Sequence, residues 1–157
     1  MNTVLEQLAK ELDLADASSE RLRLEFGYAC VLRVRQLLEH QEVERCLMGL
    51  GAWLVEDDAS AAARDRLQAL AHEAARLANH HQGSKSIDGC GHAAVSATYA
   101  VAKALAGKAL EAASYAAYAT VYAQGGYAAV AERESFDAEF EWQVKALSEL
   151  ARHSVQA

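Results

Sequence analysis

The stretch that decides the fold is GCGHAAVSATYAVAKALAGKALEAASYAAYATVYA, residues 89 to 123. Alanine recurs throughout this stretch, tyrosine interrupts it at intervals, and large aliphatic side chains are few. Small residues at four-residue spacing let two helix backbones approach closely. The spacing of Ala112, Ala116, Ala119 and Ala123 therefore predicts a central helix that neighbouring helices contact on several sides.

The composition predicts that the whole chain is one all-α domain around this centre. The 157 residues contain no proline, and 52% of them are apolar. Such a chain can bury an ordinary core, and nothing in it forces helices to break. We expect a single compact bundle or array of about six or seven helices over residues 1–157, with a short first helix at 3–13 and the main bundle at 18–152.

Hydrophobic periodicity sets the other helix boundaries, and glycine or capping residues mark several of the breaks. The first helix is followed by predicted helices with these residue bounds: 18 or 19 to about 40, 42 to 55, the acidic junction at 56–58 to about 80, 88 or 92 to 105, 107 or 108 to 123, and a cap at Ser135 through Ala151. Glycines 125 and 126 are expected to end the sixth helix.

Net charge and local composition exclude two classes of partner. The formal charge is −7, and no clustered basic face is visible, so nucleic-acid binding is not expected. Residues 112–131 carry no formal charge, but alanine is only marginally apolar and Gln124-Gly125-Gly126 divides the run, so we expect no membrane span. Charged residues near the start interrupt any signal-like apolar run, which predicts a cytoplasmic protein.

Catalytic patterns are missing from the sequence. There is no Gly-x-Ser-x-Gly elbow and no phosphate-binding glycine loop followed by lysine and a hydroxyl. The three cysteines are widely spaced and form no ligand-like pair. We therefore expect neither an enzyme nor a cofactor.

Two alternatives to a plain helical scaffold remain open. Nitrogen and sulfur ligands suit zinc, so His80, His81, Cys90 and His92 could form a metal-binding module or a metal-dependent enzyme. Tyrosine dominates many binding hot spots, so Tyr115, Tyr118 and Tyr122 could instead form the self-interface of a homo-oligomer, for example a homodimer.

Five short segments occur in an order that resembles a known family. They are Ala52-Trp53-Leu54, Ala71-His72-Glu73-Ala74-Ala75-Arg76, Gly91-His92-Ala93-Ala94, Ala113-Ser114-Tyr115-Ala116 and Glu141-Trp142-Gln143. This series is similar to that of the all-helical immunity proteins, family five, of bacterial polymorphic-toxin systems. The resemblance covers roughly residues 30 to 147.

The resemblance implies a small cytoplasmic protein that binds a cognate toxin domain and blocks it by direct contact. An acidic rim would favour encounter with a basic toxin, and acidic residues cluster at 56–58 and between 132 and 141. The motifs and these clusters together give the predicted partner-binding residues. They are Trp53, Asp57, Asp58, His72, Arg76, His92, Tyr115, Glu139, Glu141 and Trp142.

Overall fold

A computed structural model describes residues 1–81 and 90–156, apart from the side chains of Cys90, Val155 and Gln156. These residues form seven α-helices and no strand, which confirms the predicted all-α class. The helices are α1 (Thr3–Glu11), α2 (Glu20–Leu32), α3 (Gln41–Glu56), α4 (Ala61–His80), α5 (Cys90–Leu105), α6 (Ala109–Val130) and α7 (Asp137–Gln156). Short 3₁₀ turns lie at Ala17–Ser19, Arg35–Leu37 and Arg133–Phe136.

The pair α5 and α6 forms the centre of the bundle and packs more extensively than any other pair of described helices. Ala112, Ala116 and Ala119 are fully buried there, as their spacing predicts, whereas Ala123 is exposed. α2 lies across both central helices, and it also contacts α3 and α7. At Gly27 the backbone of α2 comes so close that an added Cβ would lie 3.2 Å from the Cβ of Ala104 in α5. Small residues therefore hold the three innermost helices close together.

The second helix is shorter than its periodicity predicts, because it ends at Leu32 rather than near His40. The amides of Val34, Leu37 and Leu38 bond to carbonyls three residues earlier, so the chain tightens into a 3₁₀ turn and then extends. No glycine or proline marks this break. The turn keeps Val34 buried while the Arg33 side chain reaches a carboxylate of α7, and these tertiary contacts override the local periodicity.

The sixth helix is interrupted at Gly126, where the sequence predicts its end. Gly126 adopts φ 62° and ψ −149°, a non-helical conformation essentially limited to glycine, so α6 (Ala109–Val130) consists of two helical segments that meet at a kink. Ser135 does not cap the last helix, because it lies inside the 3₁₀ turn that leads into α7.

α6 has no charged side chain between Ala112 and Ala131, yet part of its surface faces solvent. A helix that is apolar on all sides normally lies buried on all sides. Among the described helices, none is both long and apolar enough to cross a membrane. The open face of α6 is therefore the unusual feature of this bundle.

We predict that Ala116→Leu lowers the free energy of unfolding by about 2–3 kcal/mol, because the added carbons have no space in the fully buried centre. The matched control is Ser114→Leu, on the exposed face of the same helix, which should change stability by less than about 0.5 kcal/mol. Urea denaturation of both variants measures the difference. Equal losses would contradict the close packing of α6.

Candidate functional site

Six aromatic rings form a continuous strip across the open face of α6, and we call them the aromatic strip. They are His92, Tyr127, Tyr122, Tyr118, Phe136 and Phe140. His92 stacks on Tyr122 with ring centroids 5.3 Å apart and meets Tyr127 edge-on at 5.2 Å. Further along, Tyr118 lies edge-on to Phe136 at 5.1 Å. Such contacts hold aromatic rings in fixed positions.

The bend at Gly126 places Tyr127 within the strip. Beyond it the chain turns so that the Tyr127 ring lies edge-on to Tyr122, with centroids 6.0 Å apart. Phe136 of the strip packs with Ala117 and Val121 in a small apolar cluster that is separate from the main core. This separate cluster supports the aromatic strip from the side of the protein interior.

The strip opens into a groove between α1 and α7 that encloses about 670 Å³. Tyr118, Phe136 and Phe140 belong to both the strip and the groove wall, and Val4, Val130 and Val144 add aliphatic surface. Val4 is 63% exposed, Tyr118 40% and Tyr127 49%. Exposed apolar surface that is contiguous in this way is typical of interaction sites.

A short hydrogen-bond network fixes the α1 wall of the groove. The Asn2 side chain accepts from the amide of Leu5 to cap α1, and its Nδ2 donates to Phe140 O and to Gln143 Oε1, each at 3.3 Å. Gln143 is buried in α7 and donates to Ala113 O of α6 at 2.8 Å. The network therefore connects α1, α7 and α6, so the groove is largely preformed.

The charged side chains of the groove make no ion pair within the described residues. Asp137, Glu141 and Lys145 line it at four-residue spacing along α7, and Arg133 of the preceding 3₁₀ turn lines it as well. Elsewhere seven arginines hold carboxylates within 4.0 Å: Arg21, Arg33, Arg35, Arg45, Arg64, Arg66 and Arg76. The groove thus presents charges that the fold itself does not use.

Two predicted partner-binding residues, Glu139 and Trp142, hold α2 against α7. Glu139 is 5% exposed and accepts two hydrogen bonds from Arg33, at 2.7 and 2.9 Å. The Arg33 guanidinium also lies 4.0 Å above the Trp142 ring, and the bond to Glu139 raises the pKa of Arg33. Burial, with the Glu139 charge nearby, raises the pKa of the Cys30 thiol far above its ordinary value. Both Glu139 and Trp142 therefore have structural partners, whereas Glu141 faces the groove.

The predicted residues Trp53, Asp57 and Asp58 lie together at the junction of α3 and α4. The Trp53 indole donates to Ala63 O at 2.8 Å, and Asp57 ends α3 in the left-handed conformation. Asp58 accepts from the amide of Ser60 at 2.9 Å, which lowers the pKa of its carboxyl, and Ser60 caps α4. These contacts account for the acidic junction as helix termination and capping.

The other predicted residues are separated from one another. His72 and Arg76 are exposed on α4. The Arg76 guanidinium donates two hydrogen bonds to the Glu73 carboxylate and lowers the pKa of that carboxyl. Tyr115 stacks on Tyr99 at 5.5 Å beside the main core, away from the ring contacts that join Tyr118 and Tyr122. Of the predicted set, His92 lies in the aromatic strip and Glu141 in the groove.

The histidines of the metal hypothesis have different surroundings. The His81 side chain is 2% exposed, lies 3.2 Å from a Glu39 carboxylate oxygen and packs edge-on against His40. His92 instead contacts Tyr122 and Tyr127. Within residues 1–81 and 91–154, no three His, Cys, Asp or Glu side chains are arranged to hold a metal ion. The Cys90 side chain lies outside the described residues, and the metal hypothesis stays a prediction.

No protein-family model, curated protein or solved structure matches the chain.

Sequence reasoning missed most of the groove. Phe136 and Phe140 have helical spacing, which predicts an inward stripe, and nothing in the first residues signals that α1 forms a wall. One feature of the sequence does point to an exposed site. Residues 112–131 carry no charge and contain four tyrosines, and this is more apolar helix surface than a bundle of this size can bury on every side.

We predict that Glu139→Gln destabilises the fold by about 1–3 kcal/mol, since it removes the carboxylate from a charge-assisted pair that is partly buried. Glu141→Gln, two residues further along α7 and exposed, is the control and should cost less than about 0.5 kcal/mol. Thermal and urea unfolding provide the comparison. If the two substitutions cost the same, Glu139 does not hold α2 to α7.

We predict that Gly126→Ala costs about 1–3 kcal/mol, because a side chain is strained at φ 62° and ψ −149°. The near-ultraviolet circular dichroism of the tyrosines should fall as well, since Tyr127 loses its fixed position. Gln124→Ala, which is exposed and on the same helix, should leave both measurements unchanged. An unchanged tyrosine signal in Gly126→Ala would separate the bend from the aromatic strip.

Proposed function

We propose that this chain binds a toxin domain through the aromatic strip and its groove and neutralises the toxin by covering its working surface. The observation that carries the proposal is the open face of α6. An uncharged helix at the centre of the bundle leaves Tyr118 and Tyr127 exposed beside a preformed groove. Such a face is costly to leave in water unless a partner covers it.

The composition of the surface suits an inhibitor. Tyrosine combines a large apolar area with a polar hydroxyl and loses little conformational entropy on binding, so it is frequent at binding hot spots. The strip is also held in place by ring contacts and by the small apolar cluster that includes Phe136. A rigid surface loses less entropy on association than a mobile one, which favours tight binding.

The charges favour a basic partner. Glu132, Glu134, Asp137 and Glu141 are exposed in the segment 132–141, which also carries Arg133, and the chain as a whole has a formal charge of −7. Acidic side chains around an apolar centre attract a cationic protein and raise its association rate, and the effect weakens as salt increases.

The class of partner rests on the ordered motifs that resemble immunity proteins of bacterial polymorphic-toxin systems. Under this proposal the protein acts in the cytoplasm, needs no cofactor and protects the cell that makes it or its kin. It also places the gene directly beside a gene for a larger secreted toxin.

The test is co-expression with the toxin encoded by the neighbouring gene. We expect the unaltered chain to rescue growth and the double variant Tyr118→Ala with Tyr127→Ala to fail. Loss of two central tyrosines should weaken binding by at least about 30-fold, which corresponds to a hot-spot loss of about 2 kcal/mol.

The matched control removes exposed apolar side chains elsewhere, at Leu110 on the same helix and at Val55 on α3. Leu110→Ala with Val55→Ala should preserve rescue and affinity, with circular dichroism confirming that both double variants fold. Rescue by the tyrosine variant, or absence of rescue by the unaltered chain, would reject the proposal.

A further inference from the structure

We propose that the groove binds an amphipathic α-helix of the partner, which runs antiparallel to α7 and carries acidic residues in its first turn and basic residues in its last. This inference rests on the proposed function, because it names the partner element that the same surface accepts. Three features of the groove lead to it: its apolar floor, its length and the order of its charges.

The floor and the length fit two turns of helix. Phe136 at the end of the 3₁₀ turn and Phe140 and Val144 of α7 follow one another at four-residue spacing, and Tyr118 of α6 and Val4 of α1 line the same space. From Asp137 to Lys145 α7 advances about 12 Å at 1.5 Å per residue. A partner helix that places apolar side chains at i, i+4 and i+7 spans about the same distance, which is the usual pattern for a helix in a groove.

The charges give the direction. Along the groove edge Asp137 and Glu141 come first and Lys145 last. Arg133 also lines the groove and offsets one of these two carboxylates, so Arg133, Asp137 and Glu141 together keep one negative charge in excess, opposite in sign to Lys145. A complementary helix has basic residues opposite Asp137 and Glu141 and an acidic residue opposite Lys145.

Helix electrostatics then select the antiparallel arrangement. A helix is most stable with acidic residues in its first turn and basic residues in its last. Placed antiparallel to α7, such a helix brings its acidic first turn to Lys145 and its basic last turn to Asp137 and Glu141. The same charge order therefore stabilises the partner helix and matches the groove.

Two labelled peptides of 16 residues and equal composition test this inference by fluorescence anisotropy with the full chain. Both carry leucine at i, i+4 and i+7. The forward peptide has glutamate in its first turn and lysine in its last, and the reversed peptide exchanges these charges. We expect saturable binding of the forward peptide, about tenfold tighter than that of the reversed one, and no binding when the leucines are replaced by alanine.

The double variant Asp137→Lys with Lys145→Glu keeps the net charge and reverses the order of charges along the groove, with the positive side chain first and the negative one last. It should prefer the reversed peptide, a result that differences in peptide helicity alone cannot produce. If neither peptide binds, or if the preference stays the same in this variant, the inference is wrong. Light scattering that shows a dimer broken by Tyr118→Ala, without peptide binding, would assign the groove to a second copy of the chain instead.

The two proposals can fail separately. Loss of rescue in the tyrosine variant without peptide binding would keep toxin neutralisation and reject the helix as the occupant. Peptide binding with the predicted charge preference, but without rescue, would keep the helix groove and reject the toxin as its source.

Discussion

The close approach of α5 and α6 is the constraint on which the rest of the structure depends. Two backbones can come this near only where the side chains between them are alanine or glycine, and Ala112, Ala116 and Ala119 meet that need in α6. A centre made of small residues buries little apolar area per residue. Larger side chains then have to provide the remaining burial from outer positions, as Phe26, Leu47 and Leu147 do.

The same constraint explains why aromatic rings reach the surface. Tyrosine rings are too large to lie between the backbones of α5 and α6, so the tyrosines of α6 lie at the edges of that contact or on faces turned away from it. Tyr115 finds cover against Tyr99 at the edge of the main core. Tyr118 and Tyr122 lie on the other side, where the bundle provides only a thin cluster and the groove beside α1 and α7. The site is thus the part of the apolar helix α6 that the other six described helices leave exposed.

Local sequence predicted what depends on periodicity and side-chain size. The helical class and the buried alanine face of α6 both follow from residues a few positions apart. Three features do not follow from the local sequence: the break after Leu32, the direction of the bend at Gly126 and the pairing of Arg33 with Glu139. Arg33 and Glu139 are 106 residues apart in the chain, and which carboxylate covers that guanidinium depends on how α2 crosses α7. The groove was missed for the same reason, since its walls come from α1, α6 and α7 together.

The distribution of ion pairs separates residues that hold the fold from residues that are free to act. Seven arginines are paired with carboxylates of the chain itself, and Glu139 is the clearest case of an acidic side chain taken up in this way. Asp137, Glu141 and Lys145 follow one another at four-residue spacing on α7, but none of them forms an ion pair within residues 1–81 and 91–154. Exposed pairs add little to stability, so their absence costs the fold almost nothing. Charges that border an apolar groove can instead discriminate between partners. A partner that places a like charge opposite them binds more weakly, whereas a partner with the opposite charge does not lose affinity.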